Sequence, residues 1–201
     1  MNKPIDAKKE SEIEESVKFL FKTKGLSSII RFSPRIKIIN QSVSDHSFFV
    51  VTISYIIAKL EEKYNNANID YEKLMSYSCM HDVPEAISGD INRDFKKMSS
   101  DFENLYEDVC GIAMRKNLEN NPIGKDILEG CFGMANGSLE GDIVAAADII
   151  CPFIYVIQEK KLGNQALEDV YKNCKRILLN SNLESVRIIG KIISEMNYLG
   201  F

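Results

Sequence analysis

A chain of 201 residues with 45% apolar and 27% charged side chains can bury a real core, which excludes a disordered segment. Its formal charge of −4 gives no broad attraction for a nucleic-acid polymer, whose binding runs on clustered Lys and Arg. An anionic ligand must therefore be captured by a local basic pocket.

In chain order, residues 6–24 read as an amphipathic helix with Ile13, Val17, Leu20 and Phe21 on one side, closing near Gly25. Residues 27–42 are interrupted by Pro34 and carry Arg31, Phe32, Arg35 and Lys37. Ser42-Val-Ser-Asp45 has the form of a capping box, so a helix starts near Ser42 or Ser44. Its continuation from Phe48 to Leu60 is apolar nearly all round, the pattern of a helix in the centre of a domain. After a polar turn at 65–70, a helix over 70–82 delivers His81 and Asp82 at its end. Pro84 stops it there by disfavouring helical geometry at Val83. Glu85 begins a short helix that Gly89 closes. Longer helices follow over 98–119, ended by Asn120-Asn121-Pro122, and over 139–161, stopping at Gly163. Two more, at 164–180 and 183–197, finish the chain. With no alternating strand pattern, repeat or linker, residues 1–201 are expected to form one all-α domain, a compact helical bundle.

Only two histidines are present, His46 and His81, and both stand next to an acid. A lone histidine on an apolar face is usually a packed residue, but here the neighbours differ. His46 opens the central helix and His81-Asp82 closes the next, and antiparallel helices joined by a short turn bring such ends together. Imidazole with carboxylate suits a borderline-to-hard divalent ion and leaves it electrophilic. A fourth ligand is best sought at Asp148, between three alanines and two isoleucines, where an unpaired carboxylate would cost several kcal/mol by order of magnitude. Asp142 lies six residues earlier, about 240° around the helix. It belongs to the polar first turn and takes a structural role. Pro152 lacks the N–H that would bond the carbonyl of Asp148, so it either bends the helix at the ligand or steers it around the core. Cys79, two residues before His81, reads as a packed thiol rather than a ligand.

The ordered set Arg31-Phe32, Ser42-Val-Ser-Asp45-His46-Ser47, His81-Asp82-x-x-Glu85-x-x-x-Gly89-Asp90-Ile91 and Ala147-Asp148 resembles the HD-domain phosphohydrolases. Within that superfamily it looks most like the bacterial 5′-deoxynucleotidases, over about Ile29 to Gly163. The resemblance implies one divalent metal held by His46, His81, Asp82 and Asp148, its identity open among cobalt, manganese, magnesium, zinc, iron and nickel. It implies that Glu85 handles the proton of the attacking water, that Asp90 lies near the leaving group or sugar, and that Arg31 binds phosphate. The substrate it implies is a deoxyribonucleoside 5′-monophosphate, from which phosphate is released. Such relatives commonly pair, so a homodimer is one state the resemblance allows. One departure is visible: the nucleotidase pattern usually has Trp after that Arg, and this chain has Phe32 and no Trp.

The chemistry is coherent without the resemblance. A phosphate ester yields to water when a metal supplies an acidified nucleophile and a Lewis-acid contact. A nearby carboxylate then manages the proton, and the Arg31 fork can hold phosphate oxygens. Dinuclear relatives need further histidines, which this chain lacks. A deoxynucleoside triphosphate triphosphohydrolase on the same metal shell is the first rival, and it would need basic residues past the first phosphate; Arg35, Lys96 and Lys97 are the candidates, although they and Lys37 also read as surface charges. A non-catalytic helical binding or regulatory module is the second, opposed by Glu85 and Asp90. No run of about 18 apolar residues is seen, so no membrane span is expected, and residues 1–12 are too polar for a signal peptide. Five scattered cysteines without a C-x-x-C pair fit reduced thiols in a cytoplasm, not disulfides or structural zinc.

Overall fold

The computed structural model describes residues 6–196, and among them every regular element is helical. Helix α1 (Ala7–Thr23) is capped by Asp6, whose side chain accepts from the N–H of Lys8. A 3-10 turn, Lys24–Ser28, leads into an irregular segment over 29–42 that is tied back on itself by an antiparallel bridge between Ile30 and Ser42. Helix α2 (Val43–Asn65) begins at the expected capping box: Ser42 and Asp45 exchange side-chain and backbone hydrogen bonds. Helix α3 (Tyr71–Met80) is capped by Asp70, and its last turn passes directly into His81 and Asp82. Two short helices follow, α4 (Glu85–Ser88) and α5 (Arg93–Lys96), then α6 (Ser100–Asn117). Helices α7 (Gly124–Phe132), α8 (Leu139–Lys161), α9 (Glu168–Leu179) and α10 (Glu184–Glu195) complete the order.

Helix α8 is the axis of the bundle. Ile143, Val144, Ala147, Ile150 and Phe153 are buried in it and meet Val50, Ile57 and Ala58 of α2 and Leu74 and Tyr77 of α3. Each such aliphatic or aromatic side chain stabilises the fold by about 1.5–3 kcal/mol when fully removed from water. On its far side α8 receives α9 and α10 through Cys174, Leu178 and Val186. A second cluster joins α1, the start of α2 and the segment after α3 through Phe19, Leu26, Val43 and Val83, with Met114 and Ile127.

Three expectations change. First, α2 is not enclosed on all sides. Its inner face is buried, but Phe48 is 67% exposed and Ile56 50% exposed on its outer face. By length and apolarity alone α2 could cross a membrane. Its inner face, however, carries buried His46, Ser54 and Glu61 and packs on α8, the arrangement of a core helix. Second, α7 has no counterpart in the sequence reading, because glycines at 124 and 130 depress its helix propensity. They serve contact instead: a Cβ on Gly130 would stand 2.8 Å from Ser76 Oγ, and Gly133 lies against the Tyr77 ring. This lets α7 pack closely on α3 and support the end that bears His81. Third, Cys79 is exposed, not a core thiol.

Candidate metal and phosphate site

His46 sits in the first turn of α2, where the Ser42 cap fixes the helix start, and its ring is fully buried. His81 follows the last turn of α3, and Asp148 lies mid-way along α8. These three converge: His46 Nε2 is 3.0 Å from Asp148 Oδ1 and 3.4 Å from His81 Nε2. Asp82 Oδ2 joins them at 3.4 Å from His46 Nε2 and 3.3 Å from His81 Nε2. His81 Nδ1 faces the carbonyl of Ser78 at 3.0 Å. A carbonyl only accepts, so Nδ1 carries the proton and Nε2 offers its lone pair to the centre, the second-sphere arrangement usual for a metal-ligating histidine.

The charges at this centre are strongly linked. Burial, with the Arg31 cation, holds the His46 pKa below its ordinary value, which keeps the ring neutral. Burial would also lower His81, but without a cation the Asp82 and Asp148 charges outweigh it and push it up to about 9, so a bound cation would have to displace the Nε2 proton to use that lone pair. Asp148 is held far below the carboxylate range, its burial outweighed by the hydrogen bond and charge of His46. His46, His81 and Asp148 form a group that could hold a divalent ion, and Asp82 Oδ2, within 3.4 Å of both imidazole Nε2 atoms, could join them as a fourth donor.

Above this floor opens a cavity of about 490 Å³, within the usual range for small-molecule sites. Glu85 and Asp90 line it. Glu85 is buried, its Oε2 has no partner among the described residues, and burial with the neighbouring Asp82 and Asp90 charges lifts its pKa to about 8. Arg31 reaches in from the 29–42 segment, held by its backbone N–H to Gln41 O, and its Nη1 donates to Asp82 Oδ2 at 3.2 Å. Phe32 adopts a left-handed backbone, φ +54°, a conformation costly for a bulky side chain by about 1–3 kcal/mol. That turn lays its ring flat on Tyr155, centroids 5.3 Å apart and planes 3° from parallel, with the ring also lining the cavity.

The sequence reading missed what holds this segment. Glu159 of α8 is fully buried and accepts from Ile38 N at 2.9 Å, Ile39 N at 2.6 Å and Asn164 Nδ2 at 2.6 Å. Tyr155 donates to Ile39 O and Asn164 to Ile36 O. A signal was present: Asp148, Pro152, Tyr155 and Glu159 recur at intervals of four, three and four, one stripe of a helix. All four look toward the same side, the first two into the cavity and the last two onto the 29–42 segment. Pro152 is buried in an uninterrupted α8, and its missing N–H leaves the Asp148 carbonyl without its helical partner. Asp142 is exposed in the first turn of α8, apart from the site, as its position around the helix required.

The family model for YfbR-like 5′-deoxynucleotidases matches residues 18–196, nearly the whole chain. The chain belongs to this family. Among curated relatives of the YfbR-like group, a 5′-deoxynucleotidase of Enterobacter sp. (strain 638) is 25% identical over 126 residues, covering 62% of this chain and 63% of the relative. The 5′-deoxynucleotidase YfbR of Shigella boydii is 24% identical, covering 63% of this chain and 65% of the relative. The matched chain thus spans a little under two thirds of their length. An HD-domain phosphohydrolase from Listeria innocua superposes with a TM-score of 0.79 at 21% identity, covering 92% of this chain and 90% of that one. The cyanophage S-2L HD phosphohydrolase DatZ, solved with dA and one catalytic Zn²⁺, superposes at 0.58 with 12% identity, over 88% and 95% of the two chains. These likenesses establish the all-α HD fold.

Proposed function

We propose that this YfbR-like chain is a metal-dependent 5′-nucleotidase that releases phosphate from deoxyribonucleoside 5′-monophosphates. The observation that carries the reading is the convergence of His46, His81, Asp82 and Asp148 on one point at the floor of a cavity that also holds Arg31 and Glu85. Those four residues would hold one divalent ion. Bound there, the ion supplies an acidified water and a Lewis-acid contact for phosphoryl oxygen.

The protein's own groups do the rest. Arg31 orients the phosphate, and its ion pair with Asp82 keeps the guanidinium beside the metal site. Glu85 takes the proton of the attacking water: burial and the Asp82 and Asp90 charges make its carboxylate a stronger base, and the ionised form is the one that acts. Asp90, which lines the same cavity, lies near the leaving group or the sugar in this reading. Phe32, braced by Tyr155, gives the sugar an apolar wall. A 2′-hydroxyl against that wall loses water without gaining a partner, at about 1–3 kcal/mol. That amounts to roughly 5- to 150-fold preference for deoxyribonucleotides, in the lower part of the range for Phe in place of Trp.

Phosphate release from matched deoxy- and ribonucleoside mono- and triphosphates, with each of several divalent ions, tests the reading. Equal turnover of ribo and deoxy forms would refute the aromatic wall. Release of intact triphosphate would make the chain a triphosphohydrolase, and no turnover with any ion would make it a binding module. The five free thiols, four of them buried, support a reducing cytoplasm as its setting.

The uncovered face of α2 supports a homodimer. Pairing two copies of α2 antiparallel about Thr52 sets Phe48 against Ile56 of the partner subunit and Asp45 toward Lys59 of the partner subunit, so the apolar and charged patterns both repeat on themselves.

A further inference from the structure

The cavity changes character around its wall, and α9, which the chemistry above does not use, forms one side of it. On the side of α5 and α6 the lining is charged, with Lys96, Lys97, Glu103 and Glu107. On the side of α8 and α9, Ile149, Pro152 and Val170 offer apolar surface. Charges that border this surface meet each other: Arg35 Nη2 donates to Asp169 Oδ2 at 2.7 Å.

Val170 also ties this side to the aromatic wall. Phe32 and Val170 pack on the same buried cluster of Tyr155, Val156 and Leu167. A nucleotide with its phosphate at Arg31 and its sugar against Phe32 can therefore carry its base onto Val170 and the next turn of α9. A nucleobase has apolar faces and a polar edge, so it suits apolar side chains with a hydrogen-bonding group beside them. Asn173 supplies that group. It stands three residues beyond Val170, on the same face of α9, and lines the cavity with it. Its Oδ1 accepts from Arg176 Nη2 at 2.8 Å, which steadies the amide, and among the described residues its Nδ2 has no hydrogen-bond partner.

We propose that Asn173 is a specificity-determining residue: its amide N–H donates to an acceptor on the edge of the nucleobase, a ring nitrogen or a carbonyl oxygen. The contact makes the site read a nucleoside phosphate in preference to a bare sugar phosphate carrying the same ester. This rests on the reading of the cavity as a nucleotide site. Asn173 touches the base and takes no part in holding the metal or moving the proton.

The test uses the metal-loaded protein and two substrates, 2′-deoxyadenosine 5′-monophosphate and 2-deoxyribose 5-phosphate, which lacks the base. Phosphate release is measured for both, and binding of both is read by calorimetry, so the comparison holds even for a sugar phosphate that turns over slowly. Asn173→Leu should weaken the nucleotide relative to the sugar phosphate by roughly 3- to 10-fold, the worth of one hydrogen bond. Asn173→Asp keeps the shape of the side chain and its contact with Arg176 but replaces the donor with an acceptor. It should show the same selective loss, and it serves as the check on folding. Equal losses on the two substrates overturn the proposal, because a change of shape alone weakens both alike. A nucleotide that neither variant weakens overturns it too. The nucleotidase reading fails separately: it falls if the wild-type protein binds the nucleotide but releases no phosphate, whatever the binding ratios show.

Discussion

His46 has the least freedom of any residue at the site. Its ring is fully buried, and Nε2 lies within 3.4 Å of His81, Asp82 and Asp148 together. Removing it takes away one donor and leaves Asp148 without its main partner. His46→Ala should therefore lose metal and activity together, as measured by elemental analysis and phosphate release; full occupancy at full rate would show that the ion lies elsewhere. Glu85 belongs to a different class. It lines the cavity, where the Asp82 and Asp90 charges act on it, and stands outside the cluster of His46, His81 and Asp148. Glu85→Ala should keep the ion and lower kcat on the order of 10²–10⁴-fold, the range for a group that moves a proton. Loss of the metal in that variant would make Glu85 a ligand.

At the scale of elements, the 29–42 segment is the part most dependent on one side chain. Glu159 receives two backbone N–H groups and the Asn164 amide from a fully buried position. Burial alone would raise its pKa; the Asn164, Ile38 and Ile39 donors outweigh that and hold it below the ordinary value. An acid whose folded pKa is depressed adds stability that is complete above its unfolded pKa, about 4.3, and is lost as pH falls through the folded one. Urea unfolding at stepped pH should show wild type losing this component below about pH 4.3, with Glu159→Gln lacking it. At neutral pH the Gln variant leaves a buried donor unmet, so it should be weaker by on the order of 1–3 kcal/mol. Its Arg31 and Phe32 shift with the segment, and kcat/KM should fall while metal content stays. A variant with wild-type pH dependence would mean that the segment is held by other contacts.

The elements also show what a sequence can and cannot disclose. The convergence of the four candidate donors was legible because polar residues stood out where local signals were strong: a capping box before His46, Pro84 after His81-Asp82, alanines around Asp148. Helix α7 was not legible, since its glycines serve close packing on α3 and read as breakers. Glu159 was hidden for another reason. Its backbone partners, Ile38 and Ile39, lie 121 and 120 residues away, and no local pattern announces a long-range backbone staple. The Arg35–Asp169 pair spans 134 residues and was hidden in the same way.

At the scale of the whole molecule, the candidate ligands come from α2, the end of α3 and α8, so an ion held by them would fasten three helices. Binding to the folded state alone stabilises by about 2.7 kcal/mol at 100 times Kd. In a chain of this size that corresponds to roughly 5–10 °C in Tm, so chelator should lower the melting temperature by that amount and added divalent ion restore it. An unchanged Tm would mean no ion is bound in the folded protein. The α2 pairing has its own signature: sedimentation should show a dimer, and Phe48→Glu should yield a folded monomer. A wild-type protein that stays monomeric at tens of micromolar would leave that face to another role.

The joining of α2 to α8 also sets an order in time. His46 and Asp148 are 102 residues apart, so closing that span costs more chain entropy than any turn between neighbouring helices. During synthesis both histidines leave the ribosome long before Asp148 is made. A nascent chain thus presents two imidazoles and Asp82 but an open fourth corner, with no α8 to close the pocket. Secure capture of an ion by these four residues would wait for the two halves of the chain to meet, and metal uptake would then mark the molecules that have finished folding.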